Sequence, residues 1–240
     1  MKKNSCFIFL LCITAATAIA QPQKTISANK KSILASVEKH EKELTGLSDK
    51  IWGFAEIAMK ETQSSKVLAD YAEAQGFAVQ RGVADIPTAF IASFGTGKPI
   101  IAVMGEFDAL PGLSQKASPV KEALDDGAAG HGCGHNLFGA GSLGAAVAIK
   151  ELIAAGKLKG TVRFYGTPAE EDKAGKVYMA RAGLFNDVDI CFDWHPDSEN
   201  KANMQSSQAI IDYEIQFTGK SAHAAFDPWN VRSARDSAEL

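Results

Sequence analysis

The sequence lacks any run of basic residues, and its 25 lysines and arginines are outnumbered by 28 aspartates and glutamates. Nucleic-acid-binding domains carry basic clusters, so we expect no nucleic-acid partner. The serine-nucleophile motif G-x-S-x-G, the phosphate-binding loop and the dinucleotide fingerprint are also missing. Their absence argues against a serine hydrolase, a nucleotide hydrolase and a dinucleotide-dependent oxidoreductase.

Cysteine is scarce as well, with four residues in 240. Cys6 and Cys12 fall in an N-terminal segment that we expect to be removed, which leaves Cys133 and Cys191. In an oxidising compartment, two remaining cysteines favour one disulfide. Two observations compete with this pairing. Cys133 precedes Gly134 and a histidine, as a metal ligand could, and Cys191 lies in an apolar run where a free cysteine acts as a small hydrophobe.

The first twenty residues have the pattern of a secretory signal peptide. Lys2 and Lys3 precede a charge-free stretch, 6–20, that ends in Ala18-Ile19-Ala20. The apolar run is shorter than the roughly 20 residues that span a bilayer. We therefore expect an exported, periplasmic or secreted protein that is not membrane-bound after cleavage. Loss of the two lysines leaves 23 basic against 28 acidic residues, a net charge of −5.

Apolar periodicity predicts a helical region over 29–59, with a possible break at Gly46, and a helix beginning at Ser64-Ser65. Further along the chain, strands and helices alternate. Strands are predicted at 77–80, 89–94, 100–105, 161–166 and 188–194, and helices at 137–155 and 175–182. This alternation predicts an α/β fold, with helices flanking a mainly parallel sheet.

The chain is expected to contain a signal peptide (1–20), a main domain (21–203) and the start of a small α/β domain (204–240). Residues 209–217 alternate apolar and polar, which predicts a half-exposed strand in the small domain. A helix that begins near 230 reaches Leu240 without a closing signal, so we expect this domain to be cut short.

Polar clusters follow the predicted strands of the main domain. They are Glu106-Phe107-Asp108, the glycine-rich run 130–136, Glu170-Glu171-Asp172 and Asp193-Trp194-His195-Pro196. Ligands of open α/β sheets bind outside the carboxyl ends of the strands. We therefore expect these clusters to meet at one edge of the sheet.

Cys133 and His135 are the sharpest pair, because the glycine between them permits a tight bend toward one metal ion. Sulfur and imidazole nitrogen suit zinc and neighbouring divalent metals. His131 is also close, but three ligands within five residues would strain the geometry. We expect His131 to support the loop, with ligation as the alternative.

Glu170 and Glu171 are adjacent carboxylates, so one can bind metal while the other moves a proton. An exposed acidic turn is the alternative for an isolated pair. His195 is a further candidate ligand, although a histidine beside a tryptophan is often a packed structural residue. Asp108 is placed to hydrogen-bond a ligating imidazole and fix its tautomer.

These motifs occur in the order seen in the aminoacylase/carboxypeptidase family of dinuclear metallohydrolases, which the chain resembles from Ile51 to Leu240. The amidohydrolase branch is the most similar. The motifs are Gly105 to Pro111, Gly130 to Asn136, Thr167-Pro168-Ala169-Glu170-Glu171, Trp194-His195-Pro196 and Gly219 to Ala225.

The resemblance implies a site with two divalent metal ions, zinc or manganese. Cys133 would bridge the two metals, and His135, Glu171 and His195 would be further ligands. Glu170 would be the general base.

The resemblance also implies a substrate and a partner. The substrate would be an N-acyl or N-aroyl amino acid, such as p-aminobenzoyl-glutamate, whose amide bond is cleaved. The domain that begins near 204 would be a lid and dimerisation unit, in a homodimer or in a pair with a related subunit. Its His223 would reach the active site of the partner and stabilise the oxyanion.

Two departures from the family pattern affect the expected activity. Glu106 stands where other branches have a metal-binding histidine. Family members also continue past this length, and their final histidine ligand would lie beyond Leu240. We therefore expect a fragment or a truncated product. The alternative function is a catalytically inactive remnant with residual metal binding or dimerisation.

Overall fold

The structure, a computed structural model, describes residues 26–202, 206, 208–211 and 213–239. The predicted signal peptide at 1–20 lies outside the described residues. Contacts within the chain divide it into two units, 1–197 and 198–240. The domain limits expected from the sequence, 21–203 and 204–240, remain predictions.

The predicted helical region at the start consists of α1 (Ala28–Lys39) and α2 (Glu41–Phe54), which are separated at His40 rather than at Gly46. Glycine costs only about 1 kcal/mol inside a helix, and α2 continues through it. His40 is buried, and its ring lies 3.1 Å from Glu151 and 3.2 Å from the Tyr71 hydroxyl. These contacts hold the break where the local sequence shows no breaker.

Helix α3 (Thr62–Ala74) begins before Ser64-Ser65, so the predicted serine cap is wrong. Glu56 binds this helix end instead. One of its oxygens accepts the Ser64 backbone N–H at 2.8 Å, and the other accepts that of Gln63 at 3.0 Å. Ser65 turns away and donates to the Thr88 carbonyl at 2.7 Å. The side chain of an upstream residue thus satisfies the free N–H groups.

Within the described residues, five strands form one sheet in the order β1-β2-β4-β3-β5. They are β1 (Ala78–Arg81), β2 (Phe90–Thr96), β3 (Ile100–Gly105), β4 (Gly160–Gly166) and β5 (Ile190–Phe192). Strands β4, β3 and β5 run parallel, whereas β2 is antiparallel to β1 and β4. The predicted α/β fold is confirmed, and the parallel part of the sheet contains all the strands that precede the polar clusters.

The long helix α4 (His135–Ala154) lies between β3 and β4 in the chain and packs on one face of the sheet. The short helices α5 (Glu170–Lys173) and α6 (Gly175–Arg181) follow β4. The main core lies on the α4 side and contains buried residues such as Ile51, Phe107 and Leu143. By length and composition α4 could cross a membrane, but 56% of its apolar window is buried inside the protein. Its apolar character matches the place it takes in the core.

The unit 198–240 contains the short helix α7 (Ala234–Glu239) and a bridge between Lys220 and Arg232. The strand predicted at 209–217 is not formed by the described residues 209–211 and 213–217. Ile211 and Tyr213 are 83% and 80% exposed. Alternation sets which side chains share a face, but a strand also needs a hydrogen-bonded neighbour.

The disulfide considered from the sequence is wrong, because Cys133 and Cys191 are both free. Cys191 is exposed rather than buried. It lies on β5, which is an edge strand of the described sheet, so the apolar run that contains it is only partly covered. Sequence hydrophobicity does not distinguish an edge strand from a central one.

Candidate metal centre

The four polar clusters meet at the carboxyl edge of the parallel strands, as the sequence predicted. Ligand-capable atoms of Cys133, His135 and His195 all lie within 4.8 Å of one another. A second group with the same spacing contains Glu106, His135 and Glu170. His135 belongs to both groups and is the centre of the arrangement.

The imidazole of His135 is buried between two carboxylates. Its Nδ1 lies 2.9 Å from Asp108 Oδ1, and its Nε2 lies 2.8 Å from Glu106 Oε2. Although burial lowers the pKa of His135, Asp108 and Glu106 raise it to about 10. Without metal the ring is therefore an imidazolium with both nitrogens protonated, and a divalent metal that binds one nitrogen displaces the proton there.

Two glycines permit this close arrangement. Gly134 has φ of +76°, and a Cβ there would lie 3.1 Å from the Pro196 ring. A Cβ on Gly139 would lie 2.7 Å from the Glu106 carbonyl oxygen. The first glycine makes the bend before α4, and the second lets α4 approach the end of β3.

Cys133 is half-buried beside Glu171. Burial and the carboxylates around it, Glu171 foremost, raise the pKa of the Cys133 thiol to about 11. Glu171 Oε1 is buried and has no hydrogen-bond partner among the described residues. A soft thiol, two imidazoles and an unsatisfied carboxylate oxygen fit a divalent transition metal.

The turn after β4 presents Glu170 and Glu171 in different surroundings. The Glu171 backbone N–H donates to Asp108 Oδ2 at 3.0 Å, and its side chain lies beside Cys133. Glu170 is exposed. Burial and the Glu106 carboxylate raise the pKa of Glu170 above its ordinary value. The division into one ligand and one base remains a prediction, because Glu170 itself lies within ligand distance of Glu106 and His135.

Trp194 places His195 at the site. The indole Nε1 donates to Ser142 Oγ on α4 at 2.8 Å, and the indole ring lies 5.3 Å from that of Phe138. His195 Nδ1 lies 2.8 Å from the Pro196 carbonyl, which leaves Nε2 available as a ligand atom. The sequence offered a packed structural histidine as the alternative. In the structure His195 is exposed, and its ring also lies edge-on to those of His135 and Phe138, at centroid distances of 5.6 and 6.3 Å.

A cavity of about 350 Å³ opens beside these groups. Its walls include Glu106, Glu170, Lys176 and the rings of Phe138 and Trp194. Lys176 donates to Glu106 Oε1 and lies 3.9 Å from Asp193. The sequence places Glu106 in a strand-end cluster without giving it a role, and it does not identify Lys176. The position of Glu106 at a strand end was a usable signal, whereas Lys176 lies on α6 without any motif.

Four predicted site residues lie outside both groups: Asp108, His131, Glu171 and His223. His131 Nε2 is 3.0 Å from the Ile51 carbonyl oxygen, so the ring ties the site loop to α2. His223 belongs to the unit 198–240, where its backbone N–H donates to Asp227 at 2.8 Å. The roles predicted for both histidines remain predictions.

The fold and this donor set are those of a metallopeptidase-type hydrolase domain, and the family comparison agrees. A model of peptidase family M20/M25/M40 matches residues 102–240. The chain therefore belongs to this family, and the family predicted from the ordered motifs is confirmed.

Curated proteins similar to the chain carry the names of hydrolases. The chain is 44% identical over 206 residues to one of the subunits of the p-aminobenzoyl-glutamate hydrolase of Escherichia coli K12, covering 85% of this chain and 43% of that protein. It is 32% identical over 226 residues to the human Xaa-Arg dipeptidase, covering 85% and 47%. The chain thus spans about half the length of these curated relatives.

Solved structures support the fold. A dinuclear metal-binding peptidase of the M20 family from Bacillus subtilis superposes with a TM-score of 0.58 at 29% identity, covering 67% of this chain and 44% of that one. An aminobenzoyl-glutamate utilization protein from Klebsiella pneumoniae gives a TM-score of 0.51 at 16% identity, covering 67% and 45%. At that identity the second likeness supports the fold alone.

Proposed function

We propose that this chain belongs to a metal-dependent amidohydrolase that cleaves N-acyl or N-aroyl amino acids, with p-aminobenzoyl-glutamate as the first substrate to test. The observation that carries the proposal is the convergence of Cys133, His135 and His195 within 4.8 Å, beside a cavity that Glu170 lines. The name of the Escherichia coli relative supports the choice of substrate.

We propose two divalent ions, zinc or manganese, held by Cys133, His135, Glu171 and His195. When bound, such ions polarise an amide carbonyl and make water a better nucleophile. Glu170 takes the proton from the attacking water and returns it to the leaving amine. Asp108 would hold His135 in the tautomer that binds metal through Nε2, once a metal replaces the contact of Nε2 with Glu106. His223 stabilises the oxyanion from the lid of a partner subunit.

We further propose that the protein acts outside the cytoplasm and works as a pair of subunits. Export is supported by the signal-peptide pattern at 1–20. Pairing is supported by the Escherichia coli relative, whose name describes it as one subunit of its hydrolase. The partner is a second copy or a related chain.

The test uses the chain loaded with Zn²⁺ or Mn²⁺ and p-aminobenzoyl-glutamate as substrate, with release of p-aminobenzoate as the measured signal. We expect Glu170→Gln to keep metal binding and to lower turnover at least about 100-fold, because a positioned general base contributes at least that much. Cys133→Ala should lose the metal. Unchanged turnover in Glu170→Gln would rule out the assigned base.

The same assay addresses the alternative from the sequence. A chain that binds Zn²⁺ tightly but hydrolyses nothing, alone or with a related subunit, would be a non-catalytic metal-binding module. A chain that binds neither Zn²⁺ nor Mn²⁺ would contradict the proposed function altogether.

A further inference from the structure

Glu61 is a fully buried carboxyl that takes no direct part in the candidate metal centre. It is 0% exposed and stands at the N-terminal end of α3. Burial, together with the charge of Asp108, raises the pKa of Glu61. A carboxyl in such a place costs folding free energy unless its oxygens are well hydrogen-bonded.

Both oxygens of Glu61 are occupied. Oε1 accepts the backbone N–H of Ala169 at 2.8 Å, a contact between residues 108 positions apart, and Oε2 accepts the Thr88 hydroxyl at 3.1 Å. The partners are buried too: Ala169 is 0% and Thr88 is 3% exposed. The carboxyl therefore joins the start of α3 to the turn after β4.

Ala169 has an unusual backbone conformation, with φ of +60° and ψ of +38°. For a residue with a Cβ this left-handed conformation is disfavoured by steric repulsion and needs support from its surroundings. Ala169 immediately precedes Glu170 and Glu171. The backbone at this residue therefore sets the direction in which both carboxylates leave the sheet.

The turn is held on both sides of Glu170. Glu61 binds the N–H of Ala169, and Asp108 Oδ2 binds the N–H of Glu171 at 3.0 Å. Asp108 also contacts His135, so one of these two carboxylates is already part of the metal centre. The other, Glu61, lies at the N-terminal end of α3, a helix that contributes no candidate ligand.

We propose that Glu61 is a positioning residue of the metal centre, which fixes the left-handed turn at Ala169 and so presents Glu170 and Glu171. The inference rests on the proposed function, because it assigns Glu61 a part in the same centre. Glu61 acts through the backbone of another residue and touches neither metal nor substrate.

The test compares Zn²⁺ affinity, by competition with a chromophoric chelator, in the wild-type chain and three variants. Glu61→Met keeps the volume but removes the acceptor, and we expect it to weaken Zn²⁺ binding about tenfold, since residues that support ligands typically contribute 10- to 100-fold. Glu61→Gln should stay within about threefold, because its amide oxygen can accept the same N–H. Glu73→Gln, on the exposed side of α3, is the matched control and should not differ from wild type.

A second readout distinguishes positioning from simple structural support. With Co²⁺ in place of Zn²⁺, the visible spectrum reports the ligand geometry, and we expect it to change in Glu61→Met and to be restored in Glu61→Gln. A purely structural role would lower the unfolding midpoint of the metal-free protein in Glu61→Met but leave the affinity and the spectrum of the folded protein unchanged. That result would overturn the inference.

Should Glu61→Met fail to fold, the wild-type chain decides the matter by amide hydrogen exchange. We expect the Ala169 amide to exchange at least about 100-fold more slowly than in an unstructured peptide, although it lies in a turn. Exchange of the Ala169 amide at the rate of an unstructured peptide would contradict its hydrogen bond to Glu61. Failure of the wild-type chain to bind Zn²⁺ contradicts the proposed function and this inference together, whereas normal binding by folded Glu61→Met contradicts only the inference.

Discussion

The candidate metal centre has a buried side and an open side, and the two sides are built differently. On the buried side, the side chains of His135 and Asp108 are 0% and that of Glu106 is 3% exposed, and they form a continuous ionic cluster. On the open side, Glu170 at the start of α5 and His195 after β5 are exposed.

The two sides should contribute differently to the stability of the domain and to metal binding. The buried cluster sits at the end of β3 and the start of α4, next to the main core, so its charges must be balanced for the domain to fold. The open side makes few contacts that folding requires. Changes on the buried side should therefore affect stability and metal binding together, whereas changes on the open side should mainly affect metal binding.

The largest expected effect comes from His135→Ala. The variant leaves the Asp108 and Glu106 carboxylates buried without the imidazolium between them, and loss of one partner from a buried ionic group typically costs about 3–5 kcal/mol. We expect a decrease of at least about 3 kcal/mol in the free energy of unfolding, measured in urea without metal, and no Zn²⁺ binding. A metal-free variant as stable as wild type would show that the buried cluster has no structural role.

His195→Ala tests the open side. We expect Zn²⁺ affinity to fall more than about 100-fold, because a direct ligand, the role proposed for His195, contributes at least as much as the groups that support it. The free energy of unfolding of the metal-free protein should fall by no more than about 1 kcal/mol, since the ring is exposed and contacts the Pro196 carbonyl and, edge-on, the rings of His135 and Phe138. Equal destabilisation in the His135 and His195 variants would remove the distinction between the sides.

Glu56 caps α3 and lies in neither ligand group, so changing it should affect stability without affecting metal binding. We expect Glu56→Gln to lower the free energy of unfolding by about 1 kcal/mol, the usual value of a helix cap. Burial raises the pKa of Glu56, but hydrogen bonds from Gln63 and Ser64 outweigh it and hold the pKa below the ordinary 4.5.

The sign of the pH effect follows from this lowered pKa. The contribution of Glu56 is fully present above pH 4.5 and is lost as the pH falls through the folded-state pKa. Urea unfolding from about pH 6 down to about pH 3 should therefore show a smaller loss of stability in Glu56→Gln than in wild type, and Zn²⁺ affinity at neutral pH should be the same in both. A parallel pH profile in the two proteins would contradict the assignment.

Much of the fold was predictable, because buried strands and long helices have strong local patterns. The strand Ile100–Gly105 has the predicted limits, and α4 begins two residues before its predicted start. The errors occur where a distant group decides. His40 breaks the first helical region through contacts with Tyr71 and Glu151, and Glu56 replaces the serines as the cap of α3.

The site was predictable to the same extent and for a similar reason. Clusters at strand ends must meet when the strands are parallel neighbours, so Cys133, His135 and His195 could be placed together from the sequence. Lys176 could not, because it lies on a helix whose orientation depends on packing. Glu61 could not either, since its partner Ala169 is distant in sequence and the backbone conformation there leaves no trace in the residue type.

The sequence by itself determined which chemical groups are available and at which edge of the sheet they lie, since the order of the elements sets the ends at which strands are followed by loops. The tertiary structure alone decided their electrostatic state and their support. Burial and distance decide whether His135 is charged and which carboxylate oxygen has no hydrogen-bond partner. They also decide which turn is held in a disfavoured backbone conformation. Those quantities arise only when segments far apart in the chain come into contact.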